Sequence, residues 1–106
     1  MDLNDTDREW IRRKWSLIRQ SQVKADKANA DWNRINDEIN DKHRRENERR
    51  AERGDFPLSG IMIAEAKSAS LALQDALATG SWHSRNAERH IHDVNLFLQL
   101  KQMGIL

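Results

Sequence analysis

Residues 10–39, WIRRKWSLIRQSQVKADKANADWNRINDEI, contain neither glycine nor proline, and two apolar spacings compete to describe them as one helix. The first follows strict heptads through Ile11, Trp15, Ile18, Gln22, Ala25, Asn29, Trp32, Asn36 and Ile39 to His43. After Ile18 it alternates apolar with polar residues, which makes a poor seam for a simple dimeric coiled coil. The second takes Trp10, Lys14, Leu17, Ser21, Ala25, Ala28, Trp32, Ile35 and Ile39. Here Trp10 and Trp32 stand 22 residues apart, as do Leu17 and Ile39. That is an eleven-residue rhythm, which holds a stripe on a nearly straight helix. The second spacing is preferred because it gathers most of the apolar mass into one sector. Ile11, Trp15 and Ile18 add a flank at the N-terminal end and predict deeper burial there.

The helix extends both ways from this stretch. Asn4, Asp5 and Thr6 are candidate N-caps, and Asp7 and Glu9 suit the positive end of a helix dipole. Nothing interrupts the pattern before Gly54, so a helix over about 5–53 is expected, roughly 70 Å long at 1.5 Å per residue. Such length belongs to coiled coils and protruding arms. Its last part, NDKHRRENERRAER at 40–53, has one apolar side chain, Ala51, with six basic and four acidic residues. Pairs such as Glu46–Arg50 and Glu46–Arg49 sit at helical neighbour spacing, each adding only a few tenths of a kcal/mol. This segment reads as a charged extension of the helix that stands out from the core.

Downstream, GDFPLSG at 54–60 is a turn, with Ser59 placed to cap a second helix over about 60–79. GSWHS at 80–84 reads as a second turn, with Ser84 capping a third helix over about 84–103 and Gly104 closing it. The fold expected is therefore all-α, a single domain over 1–106. A very long N-terminal helix is followed by an αα-hairpin, and the whole assembles as a homodimeric helical bundle. Helix two carries a broad arc of Ile61, Met62, Ala66, Leu73 and Ala76. Helix three carries two stripes, one of Ala87, Ile91, Val94 and Leu98 and the other of Leu96, Leu100 and Met103. Helices of about 20 residues, or about 30 Å, would flank less than half of the first. Trp10, Trp15, Leu17, Trp32, Ile35, Ile39, Leu96, Leu100 and Met103 are thus the expected core or self-association stripe, since exposed patches of this kind mark interfaces.

The bulk composition narrows function. Hydrophobic residues make up 38% and charged residues 33% of 106, with 18 Lys and Arg against 17 Asp and Glu. Near-neutral charge argues against an acidic nucleic-acid mimic and against a uniformly basic packer. The absence of cysteine excludes disulfides and thiolate metal sites. No apolar run suits a membrane span, and MDLNDTDRE does not resemble a signal peptide. An intracellular, cytoplasmic protein without a membrane partner is expected.

His83, His90 and His92, near Glu88 and Asp93, invite a metal reading. No two of them have the spacing of four that lets a helix chelate one ion, so no metal is expected. There is no phosphate-binding loop, dinucleotide fingerprint or EF-hand loop, and Ser68, Ser70 and Ser84 lack a nucleophile motif. No cofactor and no enzymatic activity follow.

Between Arg8 and Arg19 there are five basic residues, Arg8, Arg12, Arg13, Lys14 and Arg19, with one acid, Glu9, and two tryptophans. Arg8, Arg12 and Arg19 share a face, with Arg13 further round. Such a helix suits phosphates, a membrane surface, or an Arg-rimmed protein interface with Trp anchors. The plain alternative is an amphipathic helix whose tryptophans are core. With Arg44, Arg45 and Arg49 these residues form the candidate partner or nucleic-acid surface. The expected function is a small non-enzymatic adaptor, regulator or inhibitor working through protein–protein contacts, with nucleic-acid enzymes and complexes among its targets. Direct nucleic-acid binding by the N-terminal helix is the alternative, and a helical enzyme the remote one. In outline, a long helix followed by a helical hairpin is similar to small phage-encoded inhibitors of host nucleases, which are helical dimers. That outline implies an inhibitor and transfers no residues.

Overall fold

A computed structural model describes residues 2–106, and among these it contains helices and no strand. Three helices follow in order: α1 over Asp5–Glu52, α2 over Gly60–Ser68 and α3 over Leu71–Gln102. The start of α1 is a reciprocal capping box. Asp7 N–H donates to Asn4 Oδ1 at 2.8 Å, and Asn4 N–H donates to Asp7 Oδ2 at 3.1 Å. Gly54 and Gly104 take positive φ after α1 and α3. The following N–H then reaches back, Asp55 to the Arg50 carbonyl at 2.8 Å and Ile105 to the Leu100 carbonyl at 3.0 Å. Ser59 caps α2, accepting from Met62 N–H at 3.2 Å.

The expected second turn is misplaced. α3 runs without interruption through GSWHS, so Ser84 is an exposed mid-helix residue and not a cap. The break falls at Ala69–Ser70 instead. There Ala69 N–H bonds the Glu65 carbonyl at 2.9 Å, Ser70 N–H bonds the Lys67 carbonyl at 3.1 Å, and Ser70 Oγ accepts from Leu73 N–H at 3.3 Å. An internal glycine costs a helix only about 1 kcal/mol relative to alanine. Gly80 is buried, on the same helix as buried Ala87 and Val94, and continuing the helix through it keeps those residues in register. Accordingly α2 is a nine-residue helix with no buried residue, not the long packing helix expected.

The chain divides into two compact units, one comprising residues up to Asp26 with Gly80–Leu106, the other Lys27–Thr79. In the first, the buried and half-buried residues of α1 are Asp7, Ile11, Lys14, Ile18, Ser21 and Ala25, and those of α3 include His83, Ala87, His90, Val94, Phe97 and Lys101. Both sets alternate steps of four and three, the 3.5-residue period of a coiled coil. The pairings Asp7–Lys101, Lys14–Asp93 and Ser21–Asn86 run in opposite chain directions, so the two segments are antiparallel. Ile18, 1% exposed, is the most enclosed large side chain.

This seam matches neither sequence spacing throughout. It takes Lys14 and Ser21 from the preferred one but Ile11 and Ile18 from the other. Leu17 and Trp15 are both exposed, which overturns the expected burial of Trp15. In the second unit Ala28 and Leu73 are buried, and Trp32, Ile35, Ile39 and Ala76 half-buried, as the preferred spacing has it. Segment 40–53 does not stand apart there. The loop after α1 folds back on it, Leu58 N–H donating to Asn47 Oδ1 at 2.7 Å, and Ile63 of α2 lines a cleft with His43 and Asn47.

Candidate interaction surface

The first unit gives the sharpest geometry, because its seam contains polar residues at heptad intervals. Lys101 Nζ lies 2.9 Å from Asp7 Oδ2. Lys14 Nζ donates to Asp93 Oδ2 at 2.9 Å and approaches His90 Nδ1 at 3.2 Å. An ammonium has no acceptor, so in this contact the His90 nitrogen is the acceptor. Asn86 Nδ2 donates to Ser21 Oγ at 3.3 Å. Between these polar layers lie Ile11, Ile18, Ala87 and Val94, and Trp10 packs on Phe97 with ring centroids 4.6 Å apart. Polar groups inside a coiled-coil seam fix register at some cost in stability, and here each has a partner across the pair.

The lysine hydrogen bonds set an acid dependence. Lys101, helped by the Asn4 backbone N–H, holds the Asp7 carboxyl below the ordinary carboxylate range against the opposing effect of burial. Lys14 does the same for Asp93. A depressed folded pKa contributes stability that is complete above the unfolded value and lost as pH falls through the folded one. Melting temperature is therefore expected to fall from about pH 5 toward about pH 2. The fall should be shallower in Asp93→Asn, and an unchanged slope in thermal melts would contradict the assignment.

The sequence candidates now separate. Lys14, expected on the basic surface, is turned inward, its side chain 19% exposed beside Asp93. Arg8, Arg12, Arg13 and Arg19 are exposed. Arg12 and Arg13 both lie near Glu9, at 3.4 and 3.6 Å, which are solvent-exposed pairs of the kind that contribute little. Trp15 is 57% exposed. Positions 8, 12, 15 and 19 follow steps of four, three and four, so Arg8, Arg12, Trp15 and Arg19 form one outward stripe on α1. Arg and Trp are the residue types that dominate binding energy at interfaces.

In the second unit, the basic residues of 40–53 are largely consumed along the helix. Arg44 pairs with Glu48 at 2.9 Å and Asp41 at 3.7 Å, while Glu46 receives Arg49 at 2.9 Å, Arg50 at 3.3 Å and Arg53 at 3.7 Å. The Arg49 hydrogen bond leads in holding the Glu46 carboxyl below its usual range. Arg45 is exposed. The cleft of about 480 Å³ lined by His43, Arg44, Asn47, Glu48 and Ile63 offers no convergent chemistry. Its Asn47 serves Leu58, and His43 Nδ1 donates to the Ile39 carbonyl at 2.7 Å.

The histidines are likewise placed apart from any metal-like set. His83 packs edge-on to Trp82 at 4.8 Å and His90 sits on Lys14. Among the described residues, no group of three or more His, Asp or Glu side chains is arranged to hold a metal ion. No described helix is long and apolar enough to cross a membrane. The self-association candidates also divide: Trp10, Trp32, Ile35, Ile39 and Leu100 are half-buried, whereas Trp15, Leu17, Leu96 and Met103 are exposed.

Fold and surface together define a protein, all-helical among the described residues, in which a long first helix presents an exposed stripe of three arginines and a tryptophan. No known protein family, characterised protein or solved structure matches the chain.

Proposed function

We propose that this is a non-enzymatic helical binding protein, an adaptor, regulator or inhibitor, that works through protein–protein contacts made by the Arg8–Arg12–Trp15–Arg19 stripe. One observation carries the reading: Trp15 is more than half exposed although it flanks the internal seam. A large indole left in water amid guanidinium groups is the composition of an interface centre. The stripe also offers cations to phosphates, so direct nucleic-acid binding is the second reading. Targets that are themselves nucleic-acid enzymes would suit both.

A second copy of the chain is a further candidate partner. Leu96 and Met103 are exposed and lie seven residues apart on α3, and Leu17 is exposed on α1. That gives a homodimer an apolar face other than the arginine stripe.

Affinity capture from a lysate of the source cells, with and without nuclease, tests the proposal. Retention of a protein that survives nuclease treatment is expected. Arg8→Glu, Arg12→Glu and Arg19→Glu together should reduce that retention at least about tenfold. Retention abolished by nuclease would transfer the function to nucleic acid, and retention unaffected by the three reversals would remove the stripe from it.

A further inference from the structure

The two flanks of the antiparallel pair in the first unit differ in chemistry. Trp10, Asn86 and Asp93 lie on one flank of the seam, where they meet Phe97, Ser21 and Lys14. By the 3.5-residue register, the other flank carries Arg8 and Trp15 from α1 with Ile91 and Leu98 from α3. Ile91 and Leu98 are half-buried, and Trp15 falls at the level between them, since Lys14 meets Asp93. Side by side, the two helices would make a groove with unequal walls. Arg8 and Trp15 flank the seam on α1 with Arg12 and Arg19 further round it, and the α3 side is apolar with exposed Glu88 beyond it.

We infer that the occupant of this groove is an amphipathic helix from a protein partner, with an acidic flank toward α1 and an apolar seam over Trp15, Ile91 and Leu98. The inference rests on the protein-binding reading above and names its chemistry. Charge complementarity selects the occupant. A helix laid along α1 meets the arginines with Asp or Glu recurring at three- and four-residue steps, while its next face covers the indole and the two aliphatic side chains. A nucleic-acid strand is anionic throughout, so one side of it would lie against Glu88 and an aliphatic wall. A second copy of this chain fits the groove less well. Several acids on the charged half of α1 are already engaged, Glu38 with Arg34, Glu48 with Arg44 and Glu46 with three arginines.

The test uses the intact chain and a labelled synthetic helical peptide of about 20 residues, with a leucine seam and glutamate on one flank. Its control carries lysine in place of glutamate. Fluorescence anisotropy should show saturable binding of the acidic peptide only. Trp15→Ala should weaken that binding at least about 30-fold, the loss typical of an aromatic anchor. The triple variant Arg8→Glu, Arg12→Glu and Arg19→Glu should abolish it. All four side chains are exposed, and circular dichroism verifies that the helices persist. Failure of the acidic peptide to bind would overturn the inference, as would equal binding by the triple variant. So would preferential binding of a single-stranded oligonucleotide, or displacement of the peptide by self-association in sedimentation runs. If capture still recovers an arginine-dependent protein while the peptide fails, the helical chemistry falls and the protein-binding reading stands.

Discussion

Arg85→Pro is expected to lower stability by about 3 kcal/mol or more, because position 85 lies inside a continuous α3. Proline there removes an i to i−4 backbone hydrogen bond, and its ring collides with the carbonyl one turn back. Arg85 itself is exposed, and its side chain makes only a long bond, 3.4 Å, to the Ser81 carbonyl. The lost guanidinium therefore contributes little, and the backbone effect dominates. For a domain of this size the melting temperature should drop by roughly 10 to 20 °C. Were residues 80–84 a turn with Ser84 as cap, position 85 would be the first helical residue, where proline is favoured. The substitution would then be close to neutral. A thermal melt followed by circular dichroism separates the two outcomes.

The second large effect is at Ile18. At 1% exposure it fills the space between the Lys14–Asp93 and Ser21–Asn86 layers. Ile18→Ala removes three carbons from an enclosed site, and the cavity adds to the lost transfer energy, so about 2 to 5 kcal/mol of destabilisation is expected. Leu17, its neighbour in sequence, is 41% exposed. Leu17→Ala should cost under about 1 kcal/mol, since little surface returns to water there. A denaturant titration comparing the two reads the seam directly. A loss at Leu17 as large as that at Ile18, or larger, would put Leu17 on the seam, as the eleven-residue spacing has it, and would contradict the heptad register.

That contrast shows where sequence reasoning reached and where it stopped. The ends of α1, the Ser59 cap and the closing glycine at 104 are governed by residues within one turn, so local chemistry identified them. Asn4 and Asp7 bond to each other three residues apart, which is a signature written in the sequence. The break at Ala69–Ser70 has no glycine or proline to mark it, and its one local signal is a serine able to cap. The seam in the first unit depends on residues far apart in the chain. Lys14 falls both in the preferred stripe and in the basic surface, and only Asp93, 79 residues away, decides that it turns inward. Once a lysine is admissible in the seam, Ile11 and Ile18 become its neighbours and Trp15 is turned out. Trp15, which the sequence left open between a core or self-association stripe and an Arg-rimmed interface, is exposed and stands at the centre of the candidate surface.

That surface faces outward only in the register that puts Lys14 opposite Asp93, and a charge swap tests this register most directly. Thermal melts at neutral pH and low salt would be compared for Lys14→Glu, Asp93→Lys and the double variant. Each single change leaves two like charges facing one another at the seam, and each should lower the melting temperature. In the double variant the opposite charges are restored with the partners exchanged, and most of the combined loss should be recovered. Losses that simply add would mean that the two side chains do not meet. The antiparallel seam, and with it the outward position of Arg8, Arg12, Trp15 and Arg19, would then be contradicted.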